Sequence, residues 1–100
     1  MSDKFNIEII SPDKMLIKSE IKEATIPAFE GSMTILKDHI SLITFLRPGF
    51  IEVISDKISE KFYVEEGTVE FFKNTLLILS STVINIKEIS QEYINKILEN

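Results

Sequence analysis

The chain has 100 residues, 44% apolar and 27% charged, which is the size and balance of one globular domain able to bury its own core. It has no cysteine, which excludes a disulfide framework, a thiol nucleophile and thiolate metal sites. Its 16 acidic and 11 scattered basic residues give a net charge of −5, so nucleic acid is not an expected partner. No apolar run reaches the roughly 18 residues needed to cross a bilayer and no signal-like stretch follows Met1, so a soluble, unprocessed chain is expected.

Phe5, Ile7 and Ile9 alternate with Asn6 and Glu8, a period of two that predicts a first strand. Ser11-Pro12-Asp13-Lys14 has turn chemistry and leads into Met15-Leu16-Ile17, giving a hairpin. Ile21 to Ile26 predicts a strand that Pro27 closes, because proline lacks the amide hydrogen of a ladder, and residues 27–32 are then expected as a loop. Met33 to Leu36 and Ile40 to Leu46 follow as strands around the turn at Lys37-Asp38-His39. Arg47-Pro48-Gly49 suggests a type II turn. Phe50 to Ile54 and Lys61 to Val64 flank the polar turn Ser55-Asp56-Lys57, and Thr68 to Phe72 returns through Lys73-Asn74 into Thr75 to Leu79. Val83 to Ile86 completes nine or ten short strands, the spacing of a sandwich or barrel. Only the end departs from this pattern: Ser90 caps a short helix, with Ile89 placed to staple onto Ile94 and Ile97 and Leu98 completing one apolar face.

Candidates for chemistry are few. His39 is the one histidine and so the obvious candidate for acid–base work, but a triad needs a nucleophile and an orienting carboxylate converging on it, and a structural or interface role is the simpler reading. One histidine and dispersed aspartates give no metal-ligand spacing, so neither metal nor cofactor is expected. Glu65 and Glu66 are adjacent and face opposite ways in extended chain, and Gly31, Gly49 and Gly67 form no phosphate-binding motif. Phe62, Tyr63, Phe71 and Phe72 read as core packing rather than a stacking platform. Phe29 has two readings, an exposed apolar partner site or a plug folded over the end of the sandwich.

The segment from Glu30-Gly31-Ser32-Met33-Thr34-Ile35-Leu36-Lys37-Asp38-His39 through Leu46-Arg47-Pro48-Gly49 resembles the N-terminal domain of the epsilon subunit of bacterial F-type ATP synthases, called delta in mitochondria. Tyr63-Val64-Glu65-Glu66-Gly67-Thr68-Val69-Glu70 and Leu79-Ser80-Ser81-Thr82-Val83 extend the resemblance in the family's order, so that it covers about Phe5 to Ser90. The departures are Thr34 where many members have glycine, Lys37-Asp38 where they have Pro-Gly, and Glu66 for the first glycine of a Gly-Gly pair.

The resemblance implies a mainly β fold, a ten-stranded β-sandwich over 1–88, with a short C-terminal helix over 89–100 as the remnant of a helical hairpin. It implies a non-catalytic rotor subunit at the foot of the central stalk, joining the gamma subunit to the membrane ring of c subunits and coupling proton flow to ATP synthesis. By family position Glu30, Gly31 and Ser32, with Phe29 beside them, would face the c ring, and Ser11, His39 and Thr44 would lie toward gamma. The chain would then sit peripherally on the cytoplasmic face of the bacterial inner membrane. The competing expectation is a free-standing β-sandwich module that binds a small ligand or carbohydrate.

Overall fold

The structure, a computed structural model, describes residues 3–12, 14–56 and 58–86. It is mainly β, with strands β1 (Phe5–Ser11), β2 (Lys14–Ile21), β3 (Glu23–Ala28), β4 (Gly31–Leu36), β5 (Leu42–Leu46), β6 (Gly49–Ser55), β7 (Ile58–Val64), β8 (Gly67–Phe72), β9 (Thr75–Ser80) and β10 (Val83–Asn85). The helix expected over 89–100, its cap at Ser90 and the boundary at 88 lie outside the described residues.

The strands form a ten-stranded sheet in the order β10-β7-β6-β3-β5-β8-β9-β1-β2, with β4 hydrogen-bonded to β3. The sheet narrows to one pair, Ala28 with Leu46, between β3 and β5, and there it folds over into a sandwich. One layer holds β10, β7, β6, β3 and β4, and the other holds β5, β8, β9, β1 and β2. β2 packs across from β6, and β1 from β10. All pairings among the described residues are antiparallel except β1 with β9, which joins Asn6 to Thr75 and so ties the first strand to the ninth.

The alternation read from the sequence fills the space between the layers. Ile7 and Ile9 of β1, Val69 and Phe71 of β8, and Leu76 and Ile78 of β9 are buried against Ala24 and Ile26 of β3, Ile35 of β4, Ile51 of β6, and Phe62 and Val64 of β7. Phe5 meets Phe71 edge to face, with ring centroids 5.7 Å apart. Each such large side chain contributes about 1.5–3 kcal/mol by leaving water.

Three expectations are corrected. Pro27 does not close its strand: β3 runs on to Ala28, Pro27 pairs with Ser32, and the connection is the two-residue turn Phe29-Glu30 with Gly31 at φ 130°. The missing amide falls where the β3 ladder passes from β6, which it leaves at Thr25, to β5, which it meets at Ala28, while the Pro27 carbonyl accepts the Arg47 N–H at 2.8 Å. Gly49 makes no type II turn, since its φ lies outside the left-handed region and it opens β6. Its lack of a side chain serves close packing, because a Cβ there would lie 3.1 Å from Pro27 Cβ. Finally, the four rings are not all core. Phe62 and Phe71 are buried, but Tyr63 is half-buried and Phe72 is 54% exposed, as alternation on a strand requires.

Candidate docking surfaces

The outward side chains of β5, β8 and β9 form a face that no other described residue covers. Cross-strand pairing sets Ile43 beside Glu70 and Phe45 beside Thr68, and continues from Glu70 to Leu77, from Thr68 to Leu79 and from Phe72 to Thr75. Ile43 is 80% exposed and Phe45 65%, and Phe72 and Leu79 are also exposed. A contiguous apolar patch of this kind marks an interaction site more often than scattered exposed residues do. An open hollow of about 360 Å³ indents it, lined by Ser41, Leu42, Ile43, Glu70, Phe71 and Phe72.

The residues singled out by sequence fall at two ends of the sandwich. Phe29, Glu30, Gly31 and Ser32 form the β3–β4 turn and the start of β4, all exposed. Phe29 is therefore not a plug: its ring stands 57% exposed, the Arg47 guanidinium lies 5.1 Å from its centroid, and its N–H donates to the Phe45 carbonyl at 2.9 Å. The Thr44 hydroxyl donates to the Glu30 carboxylate at 3.2 Å, so a residue expected toward gamma and one expected toward the ring touch each other. Ser11 ends β1 at the same end of the sandwich, beside an open hollow of about 460 Å³ lined with Pro12, Gly67, Thr68 and Leu79. His39 lies at the opposite end, just before β5, so Ser11, Thr44 and His39 share one layer without converging.

His39 is engaged locally. Its Nδ1 donates to the Ile40 carbonyl at 2.7 Å and its ring packs edge-on to Phe71 at 5.9 Å. The neighbouring Asp38 carboxylate is turned away to accept from Asn74 Nδ2 at 2.9 Å, while the Asp38 N–H donates to Asn74 Oδ1 at 2.7 Å. This clasp holds together two tips in the left-handed region, Asp38 at φ 65° and the turn Lys73-Asn74 at φ 49° and 56°. Asp38 stands where the resemblance has glycine, and its short polar side chain with a reciprocal partner makes that backbone tolerable. Thr34 and Glu66, which also replace glycines of the family pattern, have no left-handed φ to support.

Two further anchors were not legible by spacing. Ser80 is buried, and its hydroxyl donates to the Thr82 carbonyl at 2.8 Å with the Glu65 and Glu66 carbonyls at 3.2 and 3.3 Å, tying the β7–β8 connection to the end of β9. Asp56, at φ 47° in the β6–β7 turn, meets Lys4 at 3.1 Å and Lys22 at 3.4 Å. The hydrogen bond and charge of Lys4 hold the Asp56 carboxyl below its ordinary value, and those of Asp56 in turn raise the Lys4 ammonium above its own. Among the described residues no group of three His, Asp or Glu side chains is placed to hold a metal ion, and no helix is long and apolar enough to cross a membrane.

The family model of the ATP synthase delta/epsilon chain beta-sandwich domain matches residues 4–86. The chain belongs to this family. The ATP synthase epsilon chain of Pelagibacter ubique is 48% identical over 99 residues, which cover 98% of this chain and 76% of that one. The ATP synthase epsilon chain of Allorhizobium ampelinum is 30% identical over 100 residues, covering 99% of this chain and 74% of the relative. Among solved structures, a chain of the Euglena gracilis mitochondrial ATP synthase, in an assembly of OSCP, F1 and c-ring, superposes with a TM-score of 0.86 at 22% identity. That match covers 99% of this chain and 64% of the Euglena chain, so this chain spans less than two thirds of its length. A chain of the Tetrahymena thermophila mitochondrial ATP synthase central stalk and c-ring gives 0.71 at 19% identity, covering 87% of this chain and 70% of that one. At these identities the structural likenesses speak for the epsilon-type β-sandwich fold.

Proposed function

We propose that this chain is a central-stalk subunit of the F-type ATP synthase, a non-catalytic clamp that joins the gamma subunit to the c ring and so couples proton flow to ATP synthesis. The observation that carries the reading is the apolar outer face of β5, β8 and β9, a docking surface on a member of the epsilon family. Gamma is assigned to that layer, with Ser11, Thr44 and His39 along or at the ends of it. The c ring is assigned to the β3–β4 turn, where Phe29, Glu30, Gly31 and Ser32 protrude. The Thr44–Glu30 hydrogen bond makes the two contact regions neighbours at one corner, as a part that transmits torque between two others requires. The working position is peripheral, at the cytoplasmic face of the bacterial inner membrane.

The hollow beside Ser11 is the candidate site for the alternative reading as a ligand or carbohydrate module. Its walls are dominated by Ile10, Pro12 and Leu79 and carry no charged side chain, which favours an apolar group from a neighbouring protein over a sugar.

The test is reconstitution of the ATP synthase in vesicles with and without this chain. The enzyme lacking it is expected to hydrolyse ATP with little proton pumping, and addition of the chain is expected to restore pumping. Full pumping in its absence would overturn the reading.

A further inference from the structure

Glu70 is an anomaly on the β5–β8–β9 face. It is exposed, and its direct cross-strand neighbours are Ile43 on one side and Leu77 on the other. On the sheet's outer faces Glu52 stands opposite Lys61 with 3.7 Å between their charged groups, and Glu8 stands opposite Lys18. Glu23, between Leu36 and Ile54 on the other layer, is flanked by apolar neighbours as Glu70 is. Glu70 differs in lying within the exposed β5–β8–β9 face and beside its hollow. Among the described residues no cation lies within ion-pair distance of Glu70 and no hydrogen bond holds it. The nearby Lys73 ammonium sits over the Phe72 ring instead, 5.4 Å from its centroid. In water an isolated carboxylate costs nothing. Once an apolar partner covers Ile43, Phe45, Phe72 and Leu79, the same carboxylate is stripped of water, and an unpaired buried charge is strongly unfavourable.

We propose that Glu70 and the hollow beside it receive one lysine or arginine side chain of the protein that covers this face. The inference rests on the central-stalk reading, in which that protein is gamma. The shape suits such a group: the aliphatic stem of a long cationic side chain packs along Ile43 and Phe72 while its head reaches the carboxylate. An arginine would also stack on the exposed Phe72 ring. The apolar residues supply the area of the interface, and the single charge fixes its register and rejects partners that lack the cation.

The test measures binding of the full chain to F1 depleted of this subunit, at low and at moderate salt. Glu70→Gln is expected to weaken binding about tenfold and to flatten its salt dependence, and Glu70→Lys to weaken it about a hundredfold. Glu70→Asp, which keeps the charge, is expected to recover part of the loss and the salt dependence. Both measures separate a lost ion pair from a misfolded variant, since an unfolding defect would not alter the salt slope selectively. Wild-type binding with Glu70→Gln equally tight and equally salt-dependent would overturn the inference alone. Absence of wild-type binding would overturn the central-stalk reading and the inference with it.

Discussion

The two layers of the sandwich bury similar apolar residues on their inner faces and differ on their outer ones. On β6 and β7 the outward groups answer one another: Glu52 pairs with Lys61, and Phe50 packs edge-on to Tyr63 with centroids 5.6 Å apart. On β5, β8 and β9 they do not, leaving Ile43, Phe45 and Phe72 in water around an unmatched Glu70. A surface whose side chains satisfy each other has no need of a neighbour. On the reading proposed above, the face that leaves them unsatisfied receives a second protein, and its residues contribute to assembly rather than to folding.

The sharpest way to break this contrast uses two adjacent residues of β8. Phe71→Ala empties the core and is expected to cost about 4 kcal/mol, whereas Phe72→Ala, one residue on and facing outward, is expected to stay within about 0.5 kcal/mol. Urea midpoints of the isolated chain would check both, and a large loss from Phe72→Ala would mean that the outer face stabilises the fold after all. Next in size is Gly67→Ala. A Cβ at Gly67 would run into the Leu79 carbonyl on β9, and backbone cannot swing aside as a side chain tip can, so about 3 kcal/mol of stability should be lost, read by thermal or urea unfolding.

The smallest expected effect lies in the self-sufficient layer. The Asp56 carboxyl is held below its ordinary 3.8 by the hydrogen bond and charge of Lys4, so it binds a proton less readily in the folded than in the unfolded chain. Its contribution is therefore present above that ordinary value and is lost as pH falls through the lowered one. Asp56→Asn should flatten the acid side of the stability curve by a small amount, because the pair is solvent-exposed, and unfolding midpoints followed from neutral pH downward would show it.

Most strands were legible because side-chain alternation is imposed by the pleat itself: Phe5, Ile7 and Ile9 declare a buried face without reference to anything distant. What was illegible depended on neighbours far along the chain. Pro27 reads as a strand end by local chemistry, and is tolerated inside β3 only because the ladder changes partner there from β6 to β5. Gly49 beside Pro48 has the signature of a turn, yet its role is to admit the Pro27 ring. The residues proposed to bind partners were named through family resemblance and not through periodicity, and the two groups meet at Thr44 and Glu30 through a hydrogen bond that no spacing rule connects. Glu70 was visible as a motif letter, but its isolation among apolar neighbours became visible only when β5 and β9 were laid beside β8.

The parallel ladder between β1 and β9 has a consequence for biogenesis. Because Asn6 finds Thr75 across most of the chain, β1 can join its layer only after β9 has left the ribosome, and β8 also needs β9 beside it. The sticky surface on the outside of that layer therefore exists only once β5, β8 and β9 have all been made and paired, so no early fragment of the chain presents it.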